Sequence, residues 1–211
     1  MYLTRIPLDK KKQHTQVALN NPNLFHGAIE HTFKNRDERK LWRIDSLRGK
    51  LYLMIVSSTL PDYSSLLWQY APEGSQAETK NYDEFLNSIK NGDHFYFKLC
   101  ANPTRCRPIK ENQKRGTLYA CKTKAQQKDW LIRKSEKNGF DVSDHDFQIV
   151  STTSNQFIKG KDEERMDVKL LQVVYFGTLT VTDKDVFKKA LTCGIGKGKA
   201  FGTGMITVAR I

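Results

Sequence analysis

His26 is the residue of this sequence best suited to acid–base chemistry. It lies between Phe25 and Gly27, close to the predicted start of a helix, where its ring could face a cleft. Imidazole titrates near neutral pH, so a histidine in this place could give or take a proton during catalysis. A structural or surface role is the alternative. None of the five histidines has the His-Glu-x-x-His or Cys/His spacing of a metal site.

Residues 194–204 form a glycine-rich segment with five glycines and two lysines. Glycine lets the backbone approach a ligand closely and direct its N–H groups towards an anion. The segment lacks the Gly-x-x-x-x-Gly-Lys-Ser/Thr order of a P-loop, and a predicted helix precedes it rather than follows it. A tight connection without a ligand is the alternative. The residues predicted to bind phosphate here are Gly196, Lys197, Gly198 and Gly202.

The densest positive charge lies in residues 98–137, with twelve Lys or Arg and three acidic residues. Residues 104–116 contain Pro108 and show no clear apolar period, which predicts an exposed loop whose cations reach a partner freely. Phosphates are the natural target of such side chains, and a solvated charged loop is the alternative. The predicted contacts are Arg105, Arg107, Lys110, Lys114, Arg115, Lys122 and Lys124.

Metal and cofactor sites are not predicted. The acidic residues Asp162, Glu163, Glu164 and Asp167 cluster in sequence, but they fall in a polar segment predicted to be a loop between strands, which disfavours a metal-dependent nuclease. The four cysteines, at 100, 106, 121 and 193, are too irregularly spaced for a zinc site of the C-x-x-C kind.

The whole chain of 211 residues has a formal net charge of +12. Such an excess is typical of proteins with an anionic partner, with nucleic acid first and an acidic membrane surface or protein as alternatives. No apolar stretch approaches the roughly 20 residues that span a bilayer, and the N-terminus lacks a secretory signal. We therefore expect a cytoplasmic protein with reduced thiols and no membrane partner.

Hydrophobic periodicity and turn residues predict the elements of the fold. The pattern strand–helix–strand–strand–helix–strand occurs twice, which predicts an α+β protein of two tandem ferredoxin-like (βαββαβ) domains, residues 1–92 and 93–211, joined at Gly92. A single mixed α+β domain is the alternative. The predicted strands are 2–8, 40–46, 50–57, 76–82, 94–101, 117–122, 147–153, 169–182 and 204–209, and the predicted helices begin near 22, 62, 83, 126 and 183.

Three sets of residues, in the same order along the chain, resemble the CasE family of CRISPR-associated RNA-processing enzymes within the wider RAMP superfamily. In combination they are highly specific for that family. They are Met1-Tyr2-Leu3 with Phe25-His26-Gly27 and Phe33; residues 97–103 (FKLCANP) with 112–115 (NQKR); and residues 176–181 (FGTLTV) with the glycine-rich segment.

The resemblance implies an RRM-like tandem ferredoxin fold and a metal-independent endoribonuclease. Its substrate would be the stem-loop of CRISPR repeat RNA, cut at the 3′ base of the stem to release mature guide RNA. The enzyme would stay bound beside the other subunits of Cascade. His26 matches the catalytic histidine of the family, but Asn23 stands where some members have a tyrosine. That difference leaves the second catalytic group open, with a non-catalytic RNA-binding scaffold as the alternative.

The mechanism that we expect uses the 2′-hydroxyl of the RNA as nucleophile. His26 would take the proton from that hydroxyl or give one to the leaving 5′-oxygen. Lys199, together with Lys197 and backbone N–H groups, would stabilise the charge that develops on the phosphoryl oxygens. The product would carry a 2′,3′-cyclic phosphate.

Overall fold

The structure, a computed structural model, describes residues 1–35, 37–107, 116–160 and 165–211. Its first sheet contains β1 (Tyr2–Leu8), β2 (Leu41–Leu47), β3 (Lys50–Ser57) and β4 (Glu78–Asn81). They lie in the order β2-β3-β1-β4, and each neighbouring pair is antiparallel. This is the strand order of a ferredoxin-like unit, as predicted.

Four helices accompany this sheet: α1 (Gln13–Asn20), α2 (Pro22–Thr32), α3 (Ser64–Tyr70) and α4 (Asp83–Ser88). The start of α2 is determined locally. Pro22 occupies its first turn, and the Asn21 side chain accepts a hydrogen bond of 3.2 Å from the Asn23 amide. Phe25 and Ile29 point into the core, which leaves the opposite side of α2 towards solvent. The predicted start of a helix near residue 22 is confirmed, whereas α1 was not predicted.

The second sheet repeats the same topology. It contains β5 (His94–Ala101), β8 (Phe140–Asp141), β9 (Phe147–Lys159), β10 (Met166–Val181) and β11 (Ile206–Arg210). Its order is β11-β5-β10, with β8 and β9 both paired to β10. Two helices, α5 (Lys124–Glu136) and α6 (Lys184–Cys193), pack their apolar sides into its core. The predicted tandem ferredoxin-like α+β fold is confirmed.

One predicted loop is partly a hairpin. β6 (Thr104–Arg107) pairs antiparallel with β7 (Thr117–Ala120) as a separate two-stranded sheet. The prediction of an irregular loop from residue 104 was therefore wrong for its first four residues. Pairing with β7 supplies hydrogen bonds that a short polar segment does not signal by its own periodicity. Residues 108–115 lie outside the described part of the chain.

A buried ion cluster joins the two sheets, and we call it the Arg43 cluster (Arg43, Asp45 and Lys98). Arg43 on β2 donates to both carboxylate oxygens of Asp45, at 3.0 and 2.6 Å. It also donates to Lys98 O and Met205 O, at 2.9 and 2.8 Å, and to Thr207 Oγ1 at 2.7 Å. All five guanidinium N–H groups thus have acceptors, and those beyond Asp45 belong to the second sheet. The cluster fixes β2 against β5 and β11.

Within the described ranges, no helix has both the length and the apolar composition needed to cross a membrane.

Candidate nucleic-acid interface and active site

His26 projects from the first half of α2 with 29% of its side chain exposed. Its Nδ1 lies 3.9 Å from Oε1 of Glu30, one helical turn further on. The second oxygen of Glu30 accepts a hydrogen bond of 2.9 Å from Nζ of Lys40, whose side chain is only 1% exposed. The partly exposed ring of His26 thus lies beside the carboxylate of Glu30, which an ion pair with Lys40 holds in place.

The surroundings of His26 favour its neutral form. Burial is the largest influence and lowers its pKa below the ordinary value for histidine. The charge of Glu30 opposes this and raises the pKa, while the cations Lys159 and Lys40 lower it. We call His26, Glu30, Lys40 and Lys159 the His26 cluster. Because burial and the two lysines outweigh Glu30, the imidazole of His26 is mostly unprotonated at neutral pH and can accept a proton.

Lys159 reaches this cluster from the far end of β9. Its Nζ lies 6.0 Å from the ring centroid of Phe201, and Phe157 packs edge-on against the same ring at 5.0 Å. Phe201 ends a short 3₁₀ helix, Lys199–Phe201, that packs against α2. Three elements that are distant in sequence therefore meet at His26.

The glycine-rich segment packs against two tryptophan rings. Gly202 has φ +74°, and a Cβ there would come within 2.8 Å of the Trp42 ring. Gly196 has φ +84°, and a Cβ would lie 3.0 Å from Trp130. Both positions combine a left-handed backbone with close contact, so glycine is required for packing alone. This packing positions Lys199 next to α2.

Several amides of this segment already donate within the protein. Gly202 N donates to Lys199 O at 3.3 Å, and Gly204 N donates to Cys100 O at 2.6 Å. The carbonyl of Lys197 accepts from Thr203 Oγ1 at 2.9 Å, while the Lys197 side chain is exposed. The structure thus offers the side chain of Lys197 to a ligand, but uses the N–H of Gly202 internally. The roles of Gly196, Gly198 and Gly202 in phosphate binding stay predictions.

Lys199 is half-buried and belongs to a different group of charges from His26. Burial lowers the pKa of Lys199, and the nearby cations Arg39 and Lys134 lower it further, whereas Cys193 raises it. Arg39 is positioned by donating to the Cys193 carbonyl at 3.3 Å. The charges of Arg39 and Lys134 thus act unfavourably on the Lys199 ammonium group, and a bound anion would relieve that effect. The arrangement suits a phosphate.

The predicted basic surface is only partly free to reach a partner. Arg105 forms an ion pair of 3.0 Å with Asp129 on α5, and its Nε is buried without a hydrogen-bond partner among the described residues. It does not extend freely into solvent, because β6 holds it against α5. Lys122 and Lys124 are exposed at the start of α5. Arg107 lies in β6, with its side chain outside the described residues; Lys110, Lys114 and Arg115 lie outside them altogether.

A cavity of about 410 Å³ lies between this hairpin and α5. Among the described residues, Arg105, Arg133, Lys134 and Lys137 line it, with Glu136 as the one acidic side chain. The charge of Lys134 also acts on Lys199 and lowers its pKa. Positive charge therefore continues from the hairpin along α5 to the glycine-rich segment, which is the continuity that a phosphate backbone requires.

Comparison with known proteins over the full length of the chain identifies its family. Residues 1–210 match the family described as CRISPR associated protein. The chain belongs to this family. It is 30% identical over 220 residues to the CRISPR-associated endoribonuclease Cse3 of Thermus thermophilus, with 99% of this chain and 100% of the relative covered. A chain of the CRISPR endoribonuclease Cse3 bound to 19 nt RNA has a TM-score of 0.82 at 28% identity, with 99% and 100% covered.

A further solved structure supports the fold of this CRISPR-associated protein. A chain of a CRISPR RNA-guided surveillance complex, pre-nicking, has a TM-score of 0.73 at 21% identity, with 100% of both chains covered. At that identity the likeness establishes the architecture alone. The family and the tandem ferredoxin-like fold expected from the resemblance are both confirmed.

Several residues of the site were not recognised in the sequence. Glu30 follows His26 by four positions, a spacing that alone predicts a side-chain pair on one helix face. Lys159 had no such signal, because β9 was predicted to end at residue 153 and extends to 159. Arg39 and Lys40 precede β2 and reach the site only through the fold.

The acidic segment gives no metal cluster among the described residues. Asp167 is in β10 rather than in the predicted loop, and it accepts a hydrogen bond of 2.7 Å from Gln156. Asp162, Glu163 and Glu164 lie outside the described residues.

Proposed function

We propose that this CRISPR-associated protein is a metal-independent endoribonuclease that binds the stem-loop of CRISPR repeat RNA and cuts at the 3′ base of the stem. The observation that carries this proposal is the full-length likeness to a relative named an endoribonuclease and to its RNA-bound structure. The partly exposed His26 and the continuous cationic surface support it from this chain's own residues.

His26 is the proton-transfer group of the proposed reaction. The substrate supplies the nucleophile, a 2′-hydroxyl, which attacks the adjacent phosphate in line and displaces the 5′-oxygen. The 2′-hydroxyl loses one proton and the leaving 5′-oxygen gains one; His26 carries out one of these transfers and solvent water the other. The lowered pKa of His26 suits the first transfer at neutral pH, because the ring is then mostly free to accept a proton. The product ends in a 2′,3′-cyclic phosphate.

Lys199 is proposed to stabilise the negative charge on the phosphoryl oxygens. It lies in the 3₁₀ helix that packs on α2, where the charges of Arg39 and Lys134 act on it and lower its pKa. A cation held in a partly water-excluded site stabilises developing charge more than an exposed one. Lys197, with its exposed side chain, is proposed to contribute mainly to binding.

RNA binding is assigned to the hairpin β6–β7, α5 and the glycine-rich segment. A-form RNA presents its backbone more readily than its base edges, so cations that track phosphates suit a stem. We propose the predicted residues Arg105, Arg107, Lys110, Lys114, Arg115, Lys122 and Lys124 as phosphate contacts, of which Lys110, Lys114 and Arg115 lie outside the described residues. Affinity is then expected to fall steeply with added salt.

We further propose two domains, residues 1–92 and 93–211, and a cytoplasmic subunit that remains in Cascade with its product. The first sheet falls wholly in the first range, and β5 to β11 fall in the second. The four cysteines are free thiols, which is typical of a reducing compartment.

The test is a cleavage assay on a repeat hairpin RNA in EDTA, with a matched hairpin carrying 2′-deoxyribose at the cut. Cleavage of the ribose hairpin alone, with equal binding of both, is the expected result. Tight binding of both without cleavage would support the non-catalytic scaffold instead, which Asn23 makes the alternative. Cleavage that EDTA abolishes would overturn the metal-independent mechanism.

A further inference from the structure

Glu30 has no role in the reaction described so far, yet it lies directly behind His26. We propose that Glu30, held by Lys40, is a positioning residue that orients the imidazole of His26 through Nδ1 and leaves Nε2 for the RNA. This inference rests on the proposed function, because it assigns His26 its partner in that reaction.

Glu30 is fixed before any substrate arrives. Its Oε2 accepts from Lys40 Nζ at 2.9 Å, and Lys40 is almost fully buried, with its ammonium group 5.2 Å from the ring centroid of Phe33. A lysine buried to this degree needs a carboxylate partner, so the ion pair commits one oxygen of Glu30. The other oxygen is left 3.9 Å from His26 Nδ1.

The chemistry of imidazole explains why the position of Glu30 matters for His26. The partner of one ring nitrogen determines which tautomer forms, and so what the other nitrogen can do. A base oriented by a third group is a recurrent feature of nucleophile activation. The distance of 3.9 Å exceeds a hydrogen bond, but catalytic pairs commonly tighten when substrate binds. Asn23 cannot ionise, so Glu30 supplies the acidic group that this helix otherwise lacks beside His26.

The charges around His26 come from several elements. Glu30 lies on α2 itself, Lys40 precedes β2, and Lys159 ends β9; these three act on His26 directly. Lys199 lies in the 3₁₀ helix that packs on α2. The titratable residues of α1 and α3, which also contact α2, are His14 and Tyr70. Glu30 is the only one of these groups found to raise the pKa of His26.

Two substitutions on this one ion pair should act in opposite directions. Glu30→Gln removes the charge that raises the pKa of His26, so the pKa should fall. Lys40→Met removes a charge that lowers it, so the pKa should rise. Opposite shifts would show that both charges act on the His26 ring. A loss of cleavage rate in Glu30→Gln with unchanged binding of the hairpin is what separates positioning from simple support of the fold.

The experiment measures the full-length chain in two ways. NMR titration of the His26 ring gives its pKa, and single-turnover cleavage of the repeat hairpin gives a pH–rate profile. Glu30→Gln should lower the rate about 10-fold and change binding of the 2′-deoxy hairpin less than about 2-fold. The limb of the profile that follows His26 should move to lower pH in Glu30→Gln and to higher pH in Lys40→Met. Glu84→Gln, an exposed glutamate on α4, should match the wild type.

Shifts in the same direction, or none, would overturn the proposal. If Lys40→Met fails to fold, Glu30→Asp decides instead, because it keeps the charge and should restore the profile towards the wild type. A failure of the proposed function is distinguishable. In that case the wild type does not cut the hairpin at all, while the NMR titration still shows whether Glu30 controls His26.

Discussion

The Arg43 cluster and the His26 cluster combine similar groups and differ in completeness. In the first, both side chains of the Arg43–Asp45 pair are at least 93% buried, and all five guanidinium N–H groups are satisfied. In the second, His26 and Glu30 are each 29% exposed and lie 3.9 Å apart. The guanidinium of Arg43 has no N–H group left for a ligand, whereas His26 and Glu30 remain partly open to solvent.

This contrast indicates what each set of charges is for. Charges that are desolvated and fully paired hold two sheets in register, and breaking the set leaves an uncompensated charge. A group that is partly exposed and loosely paired, as His26 is with Glu30, remains able to exchange protons and to meet phosphate. Substitutions can test this division directly. Those in the Arg43 cluster should reduce stability and spare cleavage, and those in the His26 cluster should reduce cleavage and spare stability.

The largest effect is expected at His26. His26→Ala should lower the single-turnover cleavage rate by about 10²–10⁴-fold, because it removes the proton-transfer group. Binding of the hairpin and the free energy of unfolding should change little. His14→Ala, an exposed histidine on α1, is the matched control. Equal losses of binding and cleavage would contradict the division between the clusters.

Arg43→Met should have the opposite effect, reducing stability rather than cleavage. We expect it to lower the free energy of unfolding by about 3 kcal/mol, since it leaves Asp45 with Lys98, at 2.7 Å, as its remaining ion partner among the described residues and breaks the link between the sheets. Urea unfolding followed by circular dichroism measures this. Arg5→Met is the control: Arg5 pairs with Glu78 at the same distance of 2.6 Å, but on the surface. Equal effects of the two substitutions would show that burial is not what matters.

Lys199→Met should reduce the cleavage rate by about 10²-fold, the loss typical of one group that stabilises transition-state charge. Lys197→Met should instead weaken hairpin binding and leave the single-turnover rate at saturating enzyme nearly unchanged. Comparing rate and dissociation constant for both variants sharpens the line between catalytic and binding cations. Identical behaviour of the two lysines would remove that distinction.

The smallest effect is a pH dependence of stability from Asp45. Burial alone would raise its pKa, but Arg43 and Lys98 outweigh it and the pKa is lowered. A carboxyl with a lowered folded-state pKa stabilises above the unfolded value, about 3.9, and loses this stabilisation as the pH falls towards the folded value. Thermal melts should therefore show less acid destabilisation below pH ~4 in Asp45→Asn than in the wild type. Parallel curves would contradict the assignment.

Much of the fold followed from local patterns. β1 and β5 have the predicted bounds, and α2 begins at Pro22 behind its Asn21 cap. Alternation of apolar residues and helix caps act over a few positions, so they can be read without the rest of the chain. The repeated order of elements then sufficed for the tandem topology.

Other features had no local signal. β6 was missed because its partner strand lies beyond residues 108–115, and α1 because its sequence, QHTQVALN, has only two buried positions. The predicted β9 ended at residue 153, where its apolar alternation ends, so Lys159 was not recognised as part of the site.

The sequence by itself therefore determined the two ferredoxin-like units and the family, and it predicted a catalytic role for His26. The tertiary structure alone decided what surrounds His26 and what joins the two sheets. Arg43 meets the Met205 carbonyl across 162 positions, and Lys40 reaches Glu30 only after β2 has packed beside α2. Contacts of this kind depend on the folded position of side chains, because the energy of a charge is determined by its burial and its neighbours rather than by its residue type.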